Sequence, residues 1–201
     1  ASILELTRII FRVMTISENP NLVKRCLSCL TTCSNVSTKE VKLEVAQLGV
    51  HLFLLNRLEE WLTEPPSTQQ GEKMVAPNQA IFGLQSIISV TSGPTASAAV
   101  KELVLENNAL LVLRRALNTH AFHSEVHTNV YLTLHHFMMN CEETFQLFLR
   151  DNGHAQLFQE SIKRFLKKPT LVLSAASCVI LLVQSFFDEI IEDPEAVEKN
   201  D

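Results

Sequence analysis

The sequence predicts an all-α protein built as a repeat array, a solenoid, and three observations carry that prediction. Hydrophobic residues make up 46% of the 201, with only 5 Gly, 7 Pro and 6% aromatic residues. That balance favours Leu-, Val- and Ala-rich helices over a β-sandwich or a disordered chain. Apolar residues recur at the helical period through most of the chain. One phrase is also written three times: a helical stretch closes at Gln47-Leu48-Gly49, Glu106-Asn107-Asn108 or Asp151-Asn152-Gly153, a second apolar helix follows, and a longer third helix comes behind it. Self-similarity on this scale is the signature of modules that bury their apolar faces only by stacking on neighbours.

Taken in order, Ile3, Leu4, Leu6, Ile9, Ile10, Val13 and Met14 give a short helix over 2–17, broken by Glu18-Asn19-Pro20. A long helix over 21–34 enters through Pro20, whose missing N–H would be unpaired in a first turn anyway. Helices over 39–47 and 50–62 follow, separated at Gly49, and then comes the polar, Pro-rich stretch EPPSTQQGEKMVAP at 64–77, read as a surface loop insertion. The pattern resumes over 78–91, 95–106, 109–118, 125–140, 142–150, 154–166 and 170–187.

Superimposing Pro20 on Pro77, Ser124 and Pro169 gives offsets of 57, 47 and 45 residues, the first lengthened by the 64–77 insertion. The underlying period lies within the roughly 40–47 residues of armadillo and HEAT units. On this pattern the chain resembles the armadillo-like repeat family over nearly its whole length. The resemblance implies a right-handed superhelical solenoid: a partial repeat over 1–36, repeats over about 37–92, 93–140 and 141–187, and an acidic tail over 188–201. The apolar start, Ile3, Leu4, Ile9, Ile10 and Phe11, calls for a covering neighbour, so the chain is read as a section of a longer protein.

In such repeats the third helix carries small core residues on one side and lines a concave groove with the other. The resemblance places the small positions at Cys26 and Cys29, Gly83 and Ser86, Val130 and Thr133, Ala175 and Cys178. Spaced i, i+3, i+7, the implied groove positions are Arg25, Ser28 and Thr32; Phe82, Gln85 and Ser89; Asn129, Leu132 and His136; Ser174, Ser177 and Leu181. Importin alphas and catenins usually carry Trp and Asn at the second and third of these, where an Asn amide both donates to and accepts from a peptide backbone. None stands there in this chain. The expected partner is therefore a protein helix or domain gripped by side chains, rather than an extended peptide gripped by its backbone.

The net charge of −5 is concentrated in the last fourteen residues, where seven acids face Lys199 alone; the remainder, near +1, holds no basic stripe to neutralise a phosphate backbone. Direct nucleic-acid binding is therefore not expected. Arg114, Arg115, Lys163 and Arg164, with Lys167 and Lys168, form a local basic set suited to an acidic segment. Five Cys, an odd number, lie in apolar helical segments with no secretory signal before them, which places the protein in a reducing compartment, cytoplasmic or nuclear.

Chemistry-bearing clusters offer little. Cys26, Cys29 and Cys33 have a C-x2-C-x3-C spacing that would suit a metal only if the helix unwound; on a continuous helix they form a core stripe. His120, His123 and His127 in the order H-S-E-V-H do not reproduce the zincin motif and read as exposed histidines at a helix start. His136 projects at a groove position, where it would make binding pH-sensitive. Cys141 opens a helix beside Glu142 and Glu143, which oppose thiolate formation, and neither G-x-S-x-G nor a Gly-rich phosphate loop occurs. No cofactor, metal or enzymatic activity is expected. The uncharged run TLVLSAASCVILLVQSFF at 170–187 approaches the length of a membrane span, but its Ser and Gln residues and its register with the other third helices read as a core helix, covered by the tail or by a further repeat.

Overall fold

The computed structural model describes residues 2–17, 19–36, 38–63, 77–150 and 152–192. The polar insertion at 64–76 and the end of the acidic tail at 193–201 lie outside the described residues. Among those described are eleven α-helices and no strand. These are α1 (Ile3–Ile16), α2 (Pro20–Val36), α3 (Lys39–Gln47), α4 (Val50–Thr63), α5 (Pro77–Val90), α6 (Ala96–Lys101), α7 (Ala109–Thr119), α8 (Ser124–Asn140), α9 (Glu143–Arg150), α10 (Asn152–Arg164) and α11 (Pro169–Glu192). A π-helical turn, Glu102–Glu106, prolongs α6.

Local chemistry accounts for the boundaries. Ser2 caps α1 in a reciprocal box: its hydroxyl accepts from the Glu5 amide at 3.2 Å while the Glu5 carboxylate accepts from the Ser2 amide at 2.9 Å. Gly49, at φ +69°, turns the chain between α3 and α4. Asn108, at φ 54°, does the same before α7, being one of the few side chains that tolerate the left-handed region. The third repeat of the phrase is built differently. Gly153 lies inside α10, and its missing side chain makes room for a guanidinium: a Cβ there would sit 2.6 Å from Nη2 of Arg114.

The long helices pack in succession, α2 on α5, α5 on α8 and α8 on α11; beside them α4 packs on α7 and α7 on α10. Each module closes across these rows, α4 on α5, α7 on α8 and α10 on α11. One continuous hydrophobic core runs between the rows, from Met14 and Leu27 through Leu58, Leu84, Leu103 and Phe137 to Leu171 and Cys178. Polar contacts tie consecutive elements. Arg8 grips Glu44 through two bonds of 2.6 and 3.0 Å, Arg115 reaches Glu59 at 2.8 Å, and buried His51 meets Glu102 at 2.8 Å. Lys101 meets Glu143 at 2.9 Å and, chiefly through that bond, holds the carboxyl down to about 2.

Small residues set how closely the helices approach. Gly83, Ser86, Val130, Thr133, Ala175, Cys178 and Cys26 are all buried at the positions the repeat alignment gave them. Cys29 is the exception and is exposed, with Cys33 half-buried, so the three cysteines do not form a core stripe. The buried face of α2 is Val23, Cys26, Leu27 and Leu30; at about 100° per residue, Cys29 falls on its flank. A second correction concerns the last helix, which continues past residue 187 to Glu192.

At Gly83 a Cβ would lie 3.3 Å from Cδ1 of Leu58 and 3.4 Å from Cζ3 of Trp61. Gly83→Leu is therefore expected to force α4 and α5 apart at about 1–3 kcal/mol, read as a lower urea midpoint with an unchanged slope. Gly83→Ala, whose better helix propensity offsets the tighter contact, should stay within about 1 kcal/mol of the parent.

Candidate interaction surface

The groove positions expected from the sequence lie on α2, α5, α8 and α11, the four helices that pack in a row. The structure does not present them equally. Arg25, Ser28, Thr32, Gln85 and Leu132 are exposed, whereas Phe82, His136, Ser177 and Leu181 are half-buried, and Ser89, Asn129 and Ser174 are buried. On α5 and α8 the second position is the outward one, Gln85 and Leu132; on α2 all three face solvent, and on α11 Ser177 and Leu181 are both partly covered. Phe82 lies under a cation, the Lys24 ammonium standing 5.9 Å from its ring centre.

The more buried positions are engaged within the fold. Ser89 reaches across to α2, where its hydroxyl donates to the Thr31 carbonyl at 3.4 Å. The Asn129 amide donates to the Glu125 carbonyl at 2.8 Å, one turn back on its own helix. His136 joins α8 to α5. The Thr91 hydroxyl spends its proton on the Ile87 carbonyl at 2.7 Å, so its oxygen accepts from Nε2 of His136 at 2.8 Å. His136 is thereby fixed as the neutral Nε2–H tautomer, and burial lowers its basicity from the ordinary histidine range.

The basic set is also partly committed. Arg115 pairs with Glu59. Arg164 donates to the Ala121 carbonyl at 2.6 Å and lies over the Phe122 ring at 5.1 Å. Arg114 packs against Gly153. Lys163 remains exposed, as do Lys167 and Lys168.

The histidine cluster differs from the exposed helix start that its sequence suggested: His123 is exposed, but His120 and His127 are 1% and 2% exposed. At His127 the cover comes from α10 and the residue just after it, with the Ser161 hydroxyl and the Phe165 ring against it. The His120 carbonyl can only accept, so Nε2 of His127, at 3.2 Å, carries the proton and Nδ1 accepts from the Ser161 hydroxyl. Burial, with the nearby Arg164 charge as a lesser cause, lowers His127 to about 4. No group of three metal-ligating side chains comes together among the described residues.

Cys141 does not open a helix. It is the residue on which α8 ends, buried, with its thiol donating to Glu143 at 3.3 Å, and burial raises its pKa above that of a free thiol. Cys178 is pushed up to about 12, chiefly by burial. Both are held as thiols at neutral pH, a state that suits packing and not nucleophilic attack.

On α11 the sequence pointed to a core helix covered by the tail or by a further repeat. The tail beyond 192 lies outside the described residues, and Leu173, Ile180 and Val183 are 68%, 56% and 47% exposed, with Ala176 beside them exposed. The 3.5-residue spacing of these four positions was legible in the sequence. No helix of the described residues is long and apolar enough to cross a membrane. Compared with protein-family models, curated proteins and solved structures, the chain matches none.

Acid should loosen the α8–α10 corner first. Because the folded value of His127, about 4, lies below the unfolded value, the unfolded chain takes the proton first. Stability is then full above about pH 6.5 and falls as the pH drops towards 4, by up to roughly 3 kcal/mol for this one group. His120 and His136 are shifted in the same direction. Urea midpoints measured between pH 7 and 4 should show the decline, and His127→Gln should flatten it.

Proposed function

We propose that this chain is a non-enzymatic protein-interaction scaffold, an armadillo-like α-solenoid that holds a partner helix or domain against the row formed by α2, α5, α8 and α11. The supporting observation is that row itself. Four long helices pack in succession and keep Ser28, Gln85 and Leu132 outward, with Ser177 partly covered. At the usual 8–10 Å between packed helices, the ladder extends about 30 Å, long enough for several turns of a bound helix.

The chemistry of that surface is mixed. Leu132 offers an apolar anchor, Gln85 both donates and accepts, and Arg25 supplies charge at one end. With no amide ladder to grip a backbone, selectivity on this reading comes from the partner's side chains. The reading gains support from the state of the reactive groups, since Cys141 and Cys178 are buried thiols and His127 and His136 are bound into helix seams. Five free cysteines accord with the cytoplasm or nucleus. A second reading, a stacking section of a longer solenoid, draws on the apolar faces left exposed at α1 and α11.

The test is affinity for a partner captured from cell extract by the intact chain. Leu132→Asp and Gln85→Arg, both at exposed positions, should leave the helical signal and melting temperature unchanged. Together they should weaken binding about tenfold or more, a change of about 1.4 kcal/mol. Unchanged affinity would remove the row from the binding surface.

A further inference from the structure

We propose that the turns joining α7 to α8 and α10 to α11 form a peripheral docking tip for an anionic lipid surface, into which Phe122 and Leu166 are pushed. The inference is independent of the groove reading, because none of its residues is a groove position.

The two turns are tied together. Arg164, at the end of α10, donates to the Ala121 carbonyl at 2.6 Å and holds its guanidinium 5.1 Å from the centre of the Phe122 ring. In the next position the Phe165 ring stands edge-on to His127 at 5.0 Å. Beside these contacts two large apolar side chains remain in solvent. Phe122 is 82% exposed, the highest value for a large hydrophobic residue among those described, and Leu166 is 64% exposed. Little of their apolar area is used by the core, so most of it is left to be buried against something else.

The surrounding charge selects what that is. Lys163, Arg164, Lys167 and Lys168 are all exposed, and among the described residues the three lysines make no ion pair. Two exposed carboxylates oppose them, Glu125 in the first turn of α8 and Glu160 on α10, where the Glu160 carboxylate accepts from the Gln156 amide at 3.2 Å. Four cations against two anions leave the tip positive. An anionic leaflet attracts such cations, each one near its surface strengthening binding about fivefold. Its interfacial zone also takes up apolar side chains that stand out from a protein, and it does so without shaped pockets. A folded protein partner would need a hole for each of the two side chains and acids around both. With two apolar side chains and a small charge excess, the expected binding is reversible and weakened by salt.

Flotation of the 201-residue chain with lipid vesicles tests this, using phosphatidylcholine alone and phosphatidylcholine with about a third phosphatidylserine. The chain should float with the phosphatidylserine vesicles and not with the neutral ones, and raising the salt from about 0.1 M to about 0.5 M should release it. Lys167→Glu with Lys168→Glu should lower the bound-to-free ratio about tenfold or more, and so should Phe122→Ser. All three positions are exposed, so the melting temperature should stay that of the parent. Phe122→Trp should shift its emission to shorter wavelength when the anionic vesicles are added, with the parent as baseline, whose one tryptophan, Trp61, packs against α5. No binding to the anionic vesicles would overturn the proposal. So would equal binding to both kinds of vesicle, or binding that survives both sets of substitutions. Retention on immobilised polyglutamate, lost in Phe122→Ser while the vesicles float without protein, would also overturn it and assign the tip to an acidic protein segment.

Discussion

The whole structure depends on one constraint: each long helix has to bury one flank against its predecessor and the other against its successor. Ser86 on α5 and Val130 and Thr133 on α8 are buried, and Gly83 lets α5 close on Leu58 and Trp61 of α4 as well. Small side chains are what allow both flanks to close, because a packed interior has little spare volume to absorb a larger one. Among the described residues the outer faces of α1 and α11 are not covered, and Ile9 and Ile16 on α1 and Ile180 and Val183 on α11 are exposed.

The same constraint explains where the polar groups went. A histidine beside a seam is recruited to close it. His51 bonds Glu102, His127 bonds Ser161 and the His120 carbonyl, and His136 bonds Thr91, each joining one module to another. In the low-dielectric space between helices such a bond is directional, so these side chains fix register as well as distance. For His127 and His136 burial favours the neutral form. The surface left for recognition is correspondingly plain, made of Ser, Gln, Leu and Arg.

Much of this was legible in the sequence. Apolar periodicity located the eleven helices to within a few residues, since helix ends here coincide with Gly, Pro, Ser or Asn. The side of each helix was harder to read. Ser89 and Asn129 have the polarity of surface residues, yet seams between helices bury them; nothing in one sequence says which polar residue finds an internal acceptor. The histidines at 120 and 127 misled in the same way; at His127 the cover comes from Ser161 on α10, more than thirty residues away. On α11 the spacing of Leu173, Ala176, Ile180 and Val183 already separates an exposed face from the buried one of Leu171, Ala175 and Cys178.

The π-helical turn at Glu102–Glu106 bears on how the chain winds between α6 and α7. A turn closed from i to i+5 accommodates one residue more than an α-helical turn, and in a continuous α-helix that extra residue would rotate everything after it by about 100°. Here the wider turn stands just before the left-handed Asn108, from which α7 begins. The segment therefore carries two windings in one helix, α over Ala96–Lys101 and π over Glu102–Glu106, ahead of the turn at Asn108.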